Sequence, residues 1–237
     1  MSKIELTNLV DCLDLSSDEI NFKVKDLIFN KHKNLILKNT HSENQLLECI
    51  KALIKIEIFG DVGSDFANNV SGLKIIVNGN VGDNSACSIE KAKITIFGAC
   101  SNNFGNNIKS SEVYLLEGCG ANSFLKLANN SKVVLGGQVG SNFAAMNNGG
   151  TVVLLNLKGG SIFVDESWFK DSTDSHIYIR GDKNKIKLVN DNSSFTLNQV
   201  DYNDEDLYLP LISEFSRLFG VSLSEIKSKP FNKALLK

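Results

Sequence analysis

The sequence predicts an all-β solenoid, a parallel β-helix with coils of about 19 residues, and three observations predict it. The first is periodicity. With Gly60 as position zero, the equivalent residues are Gly79, Gly98, Glu117 and Gly137, spaced by 19, 19, 19 and 20. Two positions on lies the column Val62, Val81, Cys100, Cys119 and Val139, and three positions on lies Gly63, Gly82, Ser101, Gly120 and Gly140. The second observation is a β-type run near the end of each unit: Ile75-Ile76-Val77, Ile94-Thr95-Ile96, Val113-Tyr114-Leu115, Val133-Val134-Leu135 and Val152-Val153-Leu154. The third is the place of the one irregularity. The extra residue of the 20-residue spacing falls in Asn129-Asn130-Ser131-Lys132, a turn sequence, so the strand columns stay aligned.

The units lack the 3.6-residue apolar spacing of helical repeats, and a β-branched run with a Gly-x-x-Gly turn suits one coil of a solenoid. Coils stacked about 4.8 Å apart pair their strands in parallel and in register. One coil cannot bury its apolar column alone, but its neighbours cover it. The columns 75, 94, 113, 133, 152 and 77, 96, 115, 135, 154 are apolar in every coil and are expected to point inward. Gly60, Gly63, Gly79, Gly82, Gly98, Gly120, Gly137 and Gly140 are expected to supply positive φ at the turns. The Asn pairs at 68–69, 106–107, 129–130 and 147–148 can substitute, because Asn tolerates the left-handed region.

These residues carry a family resemblance. The segment Gly60-Asp61-Val62-Gly63 through Ser71-Gly72-Leu73-Lys74-Ile75-Ile76-Val77 resembles the Gly-x-Gly-x-Gly repeat domain that ends the large subunit of glutamate synthase. Gly137-Gln138-Val139-Gly140-Ser141-Asn142-Phe143-Ala144-Ala145-Met146-Asn147-Asn148-Gly149-Gly150 is similar to that domain's last repeat, one residue short before the Met. The family includes stand-alone subunits, found in N-methylglutamate-synthase-like complexes and in formylmethanofuran dehydrogenase. There a segment like His176-Ile177-Tyr178-Ile179-Arg180-Gly181 closes the array, and a helical tail ends near a Phe-Asn-Lys segment. The resemblance implies a right-handed β-helix. It spans residues 56–181, and Ser101, Glu117, Lys91 and Ser110 depart from it by replacing family glycines.

Along the chain, three parts are expected: residues 1–54 as N-terminal strands and a capping helix, 55–200 as the β-helix, and 201–237 as a helical tail. Ile20-Asn21-Phe22-Lys23-Val24 and Leu35-Ile36-Leu37 alternate like strands. Ser42-x-x-Gln45 reads as a capping box. Leu46, Leu47, Ile50, Leu53 and Ile54 follow at helical spacing, which predicts an amphipathic helix over 43–53 covering the end of the stack. After residue 155 the period loosens. Segments at 162–164 and 177–179 still read as coil strands, and 186–189 and 195–197 as imperfect ones. Residues 201–206 read as an acidic turn and 205–219 as a helix with Leu207, Leu211, Phe215 and Leu218 on one face. Pro210 is acceptable there only in a first turn. Gly220 ends that helix, and Ser222-x-x-Glu225 opens a shorter one stopped by Pro230.

Composition excludes several classes. A net charge of −2 with scattered Lys and Arg argues against nucleic acid. No run of 18 apolar residues occurs, and Glu5, Asp11 and Asp14 do not suit a secretory leader. The odd set Cys12, Cys49, Cys87, Cys100 and Cys119, among apolar neighbours, fits reduced thiols in a cytoplasm. Cys100 and Cys119 fall in one column one coil apart, a separation that permits a disulfide. A Val-Val-Cys-Cys-Val column nevertheless fits buried packing better. His32, His41 and His176 are isolated, with no ligand spacing for a metal. His176 is expected to face solvent. The column Asp61, Asn80, Ala99, Gly118, Gln138 is acidic once, so no calcium ladder follows. The Gly-x-x-Gly pairs lie between short strands, outside the strand–helix setting of a dinucleotide site.

Two features at 165–174 remain. Asp165, Glu166, Asp171 and Asp174 form the densest acidic group, and paired carboxylates on a β-helix can serve sugar chemistry. Trp168 and Phe169, in a loop that interrupts the period, are expected to contact a partner. The resemblance implies a non-catalytic scaffold subunit without cofactor or metal of its own. Its implied partners are a class II glutamine amidotransferase subunit and an FMN and iron–sulfur synthase subunit, or a metal-dependent hydrolase-like subunit. The rival expectations are a carbohydrate-active enzyme using Asp165, Glu166 and Asp171, and a free-standing homo-oligomeric adaptor.

Overall fold

The computed structural model describes residues 8–164, 166–188 and 195–236. The chain forms a parallel β-helix. Nine of its described strands stack in parallel: β1 (Leu9–Asp11), β2 (Asn34–His41), β3 (Lys55–Asp61), β4 (Lys74–Asn78), β5 (Lys93–Ile96), β6 (Glu112–Leu115), β7 (Lys132–Leu135), β8 (Thr151–Leu154) and, beyond β9 (Ile162–Val164), β10 (His176–Arg180). Register follows the sequence columns: Leu35, Ile56, Ile75, Ile94, Val113, Val133, Val152 and Ile177 are successive partners. The column from Leu37 through Ile58, Val77, Ile96, Leu115, Leu135 and Leu154 to Ile179 runs beside it. Both columns are fully buried. The inserted residue also falls where the sequence puts it. Lys109 pairs Ala128, but Glu112 pairs Lys132, and Asn129 and Asn130 both take positive φ.

The glycines work differently from expectation. Of the eight, only Gly60 has positive φ, at 129°. The others hold ordinary φ, and their hydrogen side chains are required by the coil beneath. A Cβ on Gly98 would lie 2.5 Å from the Gly79 carbonyl oxygen, and one on Gly82 2.5 Å from the Gly63 carbonyl carbon. The left-handed residues sit elsewhere, in three alternating columns (Gln45, Asp65, Asn84, Asn103, Asn122, Asn142; Leu47, Ala67, Ala86, Gly105, Phe124, Ala144; and Cys49, Asn69, Ser88, Asn107, Lys126, Met146) and in a fourth before the strands, Gly72, Lys91, Ser110, Asn130 and Gly149. Of the Asn pairs named from the sequence, Asn69, Asn107, Asn129 and Asn130 take this conformation and Asn147 and Asn148 do not. Side-chain amides brace the turns between coils. Asn80 Oδ1 accepts the Ala99 amide at 2.9 Å, and Asn102 Oδ1 accepts that of Ala121 at 2.9 Å.

Inside, Phe66, Phe104 and Phe143 share a column with Ser85 and Ser123. Each Ser hydroxyl accepts the amide of a Phe one coil below, Ser85 from Phe66 at 3.1 Å and Ser123 from Phe104 at 3.3 Å. Phe124 moves to the next column, beside Gly105, where a Cβ would meet its ring at 2.7 Å. Phe104, Phe124, Phe143 and Trp168 thus form an edge-to-face series with centroids 5.5, 5.9 and 5.0 Å apart.

The N-terminal end corrects two expectations. Residues 20–24 are not a strand but lie in α1 (Ser17–Phe29), whose Ser16 and Glu19 form a reciprocal capping box. Ile20 and Val24, four apart, turn inward, while Phe22 is 73% exposed; the alternation is a helical face that mimics a period of two. Residues 43–53 are not a helix but the turns of a first coil. Gln45 donates to the Ser64 carbonyl and Cys49 to that of Asn68. Leu46, Leu47 and Ile50 therefore occupy the positions of Phe66, Ala67 and Val70. Their helix-like spacing is the spacing of the coil. A helix does cap the stack, but it is α1. Its Asn21 donates to the Gln45 carbonyl and accepts the Leu47 amide, both at 2.8 Å, filling the hydrogen-bonding place of a missing coil.

At the other end, β9 pairs with β11 (Ile186–Leu188) in a separate two-stranded sheet. The expected strand at 186–189 ends, among described residues, at Leu188; Val189 lies outside them. β12 (Phe195–Gln199) leads to α2 (Tyr202–Phe219), which starts earlier than expected because Asp201 caps it through a box with Asp204. The supposed acidic turn is the first turn of this helix, and Pro210 lies in its interior. Its buried face is Asp204, Tyr208, Leu211, Ile212 and Phe215, leaving Leu207 outside. Gly220 closes it at φ 69°, and α3 (Leu223–Lys227) follows with Ser222 as cap. The tail is not wholly helical. β13 (Phe231–Leu236) returns antiparallel to β10 and pairs β12, so the parallel stack ends at β10 and β12 forms the outer edge.

Candidate functional site

The structure places Trp168 and Phe169 in the core, 1% and 3% exposed, in a short 3-10 helix (Glu166–Phe169). They are not an exposed partner contact. Trp168 continues the Phe104–Phe124–Phe143 series, so the lengthened connection between β8 and β10 folds inward to fill the end of the barrel. Among the neighbouring carboxylates, Glu166, Asp171 and Asp174 are exposed, and Asp165 lies outside the described residues. Trp168 and Phe169 are buried, so they offer no aromatic platform beside these carboxylates.

The thiols divide. Cys12, Cys100 and Cys119 are buried, Cys87 is half-buried and Cys49, expected among apolar neighbours, is exposed; all five are free. Cys100 and Cys119 are bridge partners in adjacent coils. Burial pushes the Cys119 thiol up to about 12 and Cys100 well above its ordinary value. His176 is half-buried rather than solvent-facing. It stacks on Tyr178 with centroids 6.4 Å apart, and its buried Nδ1 has no hydrogen-bond partner among the described residues. Burial, and then Lys233, hold its pKa low.

The surface that distinguishes this chain is the outer face of the sheet. Its outward column runs Ile36, Glu57, Ile76, Thr95, Tyr114, Val134, Val153, Tyr178. From Thr95 onward it is buried, and from Tyr114 onward α2 lies across it. Tyr208, Leu211, Ile212 and Phe215, with Ile226 and Phe231, form a second core with Tyr114, Val134, Val153 and Tyr178. The apolar outward residues Val134 and Val153 were the available signal for this cover, since an open sheet face is ordinarily polar.

Three polar clusters fasten the cover. Glu214 of α2 accepts Lys93 Nζ at 2.7 Å and Arg217 at 2.7 Å, which holds its carboxyl down to about 2. Asp204 Oδ1 accepts both the Tyr178 hydroxyl at 3.0 Å and Lys233 Nζ at 2.7 Å, while Oδ2 accepts the Asp201 amide. Burial works against the charge of Asp204, but these donors hold its pKa below its usual value; burial, and then the hydrogen bond to the Asp204 carboxylate, push Tyr178 up. Asp204 binds both the Tyr178 hydroxyl proton and Lys233, so the cluster joins α2, β10 and β13. The third is Arg180, buried at 3%, donating to the carbonyls of Ile226 (2.6 Å), Glu225 (2.8 Å) and Leu155 (3.1 Å).

On β2–β4 the same face is open. There Ile36 and Ile76 are half-buried and Phe59 is 41% exposed, set among Lys55, Glu57 and Lys74. Lys55 pairs with Glu57 at 2.9 Å. No helix among the described residues is long and apolar enough to cross a membrane, and they contain no group of three or more His, Cys, Asp or Glu placed to hold a metal ion. No family model matches the chain, and no curated protein matches it.

Proposed function

We propose that the chain is a non-catalytic scaffold subunit of a multisubunit enzyme of the glutamate-synthase-like or formylmethanofuran-dehydrogenase-like kind. One observation carries the reading. A single sheet face already docks an amphipathic helix on β6–β8 and β10, while its continuation on β2–β4 stays open with half-buried Ile36 and Ile76 and exposed Phe59. Apolar groups rimmed by charge suit a protein partner. The parallel register repeats this strip from coil to coil, which suits a spacer that holds subunits at a fixed separation. The family resemblance supplies the partner classes: amidotransferase and flavin/iron–sulfur synthase subunits, or a hydrolase-like subunit. The proposed site of action is cytoplasmic.

The test is co-purification from the native host with Ile76→Lys combined with Lys74→Glu. Unchanged circular dichroism and loss of the larger subunits, at least about 30-fold for an anchor of about 2 kcal/mol, is expected. Lys170→Glu, exposed and outside this face, is expected to leave association intact. Dissociation of a homo-oligomer instead would favour the adaptor alternative, and turnover of a polysaccharide by the purified chain would favour the enzyme.

A further inference from the structure

We propose that the C-terminal end of the coil stack holds a phosphate-type oxyanion, bound in the cavity between the Gly159-Gly160 turn and the Lys229-Pro230 loop. The cavity measures about 160 Å³ and is lined by Arg180, Lys185, Lys229, Asp182 and the two glycines, among others. A single water needs roughly a tenth of that space. A phosphate with part of its hydration therefore fits, whereas a drug-sized ligand does not.

Arg180 carries the argument. Its guanidinium is buried, yet its hydrogen-bond partners are three main-chain carbonyls, and no carboxylate oxygen of the described residues lies within ion-pair distance. Carbonyl dipoles satisfy donors but do not neutralise a charge, and Glu225, whose charge acts on Arg180 from beyond ion-pair distance, offsets it only in part. A guanidinium has five N–H donors, of which these bonds use three. One donor on each terminal nitrogen remains for an anion's oxygens. Lys185 and Lys229 add two exposed cations to the lining. Asp182 is the only carboxylate among the described residues of the lining, and its Oδ1 already accepts the Asn184 amide at 2.9 Å. Three cations against one acid leave an excess of two positive charges around a cavity. The site draws on β10, the turn after β8 and the loop before β13, so an anion there would tie the tail to the last coils.

The experiment is titration calorimetry on the full chain at low ionic strength, with inorganic phosphate as probe and chloride at matched ionic strength as control. A glycerol phosphate arm distinguishes a free ion from the phosphoryl group of a larger molecule. One saturable phosphate site is expected, with a melting temperature that rises with phosphate by mass action. Lys185→Ala combined with Lys229→Ala is expected to weaken binding at least tenfold while leaving the phosphate-free melting temperature unchanged. These exposed lysines carry the test because Arg180→Gln would also remove bonds that hold α3. Binding of both probes means the cavity takes a phosphoryl head group, and binding of free phosphate alone means it takes the ion. Absence of saturation at ten times a Kd of about 1 mM, equal heats with chloride, or unchanged affinity in the double variant would overturn the proposal.

Discussion

Replacing Val113 by Asp tests the stacked-column arrangement most directly. Val113 is fully buried on β6, with Ile94 below it and Val133 above. No cationic side chain lies in either inward column, so the carboxyl must be buried neutral. Neutralising a group of ordinary pKa near 3.9 at pH 7 costs about 1.36 kcal/mol per unit, hence about 4 kcal/mol. Loss of the Val transfer energy adds about 1.5 kcal/mol or more, and an unpaired neutral carboxyl about 1–3 kcal/mol. The total, roughly 7–9 kcal/mol, consumes most of the 5–15 kcal/mol typical of a domain. The sign with pH is fixed. Burial raises the folded pKa, so the native state binds more protons than the unfolded state above pH about 4, and the variant's deficit grows as pH rises. Val113→Thr, nearly the same shape, should cost only about 1–3 kcal/mol. Urea denaturation followed by circular dichroism, at pH 4 and pH 7, reads both quantities. An Asp variant that unfolds at the wild-type urea midpoint at pH 7 would refute inward placement of the column.

Trp168→Ala should destabilise by about 3–5 kcal/mol, because it removes the last ring of the core series, and the single tryptophan should emit at short wavelength and resist aqueous quenchers. An emission maximum typical of water would contradict its burial. In folded protein, alkylating reagent should label Cys49 first and reach Cys100 and Cys119 only in denaturant, while Cys100→Val with Cys119→Val keeps the fold. Mass-spectrometric mapping of the labelled peptides decides this. Glu214 is held below its unfolded pKa by Arg217 and Lys93. The stability it supplies is therefore present above pH about 4.5 and lost as pH falls towards 2. After allowance for solvent screening it amounts to about 1 kcal/mol. Glu214→Gln should flatten that part of the melting-temperature profile, and an unchanged acid slope would remove the Lys93–Glu214 link from the account of how α2 is held.

The solenoid is legible because its packing is one-dimensional. Each inward residue meets its own column neighbours, so β-branched residues at a fixed period specify both strand and register, as Ile75, Ile94 and Val113 do. The misleading stretches lie where two periods coincide over a short window. Ile20, Phe22 and Val24 fit a strand until the Ser16–Glu19 box is recognised, and Leu46, Leu47 and Ile50 fit a helix until they are aligned with Phe66, Ala67 and Val70. The glycines stand out for a different reason from the expected one. Repetition of Gly63 and Gly82 reveals that a side chain is forbidden there, but sequence alone does not distinguish a forbidden Cβ from a required positive φ. Trp168 resembles an interface residue because it breaks the period. In a solenoid the break is where the core itself must be closed.

The outer face extends this reasoning to function. An outward strand position is ordinarily polar, but this column becomes Tyr114, Val134 and Val153, which require a cover, and that cover already buries Thr95 one coil earlier. The tail supplies it, and the match is detailed. Lys93, the last basic residue before the change, reaches Glu214 of α2, while Tyr178 at the far end reaches Asp204 in the helix's first turn. The helix therefore spans from β5 to β10 and stops. Its limit also delimits the open strip on β2–β4. Ile36 and Ile76 on that strip are the same outward column before its cover begins, and their partial exposure is the feature that a second chain would complete.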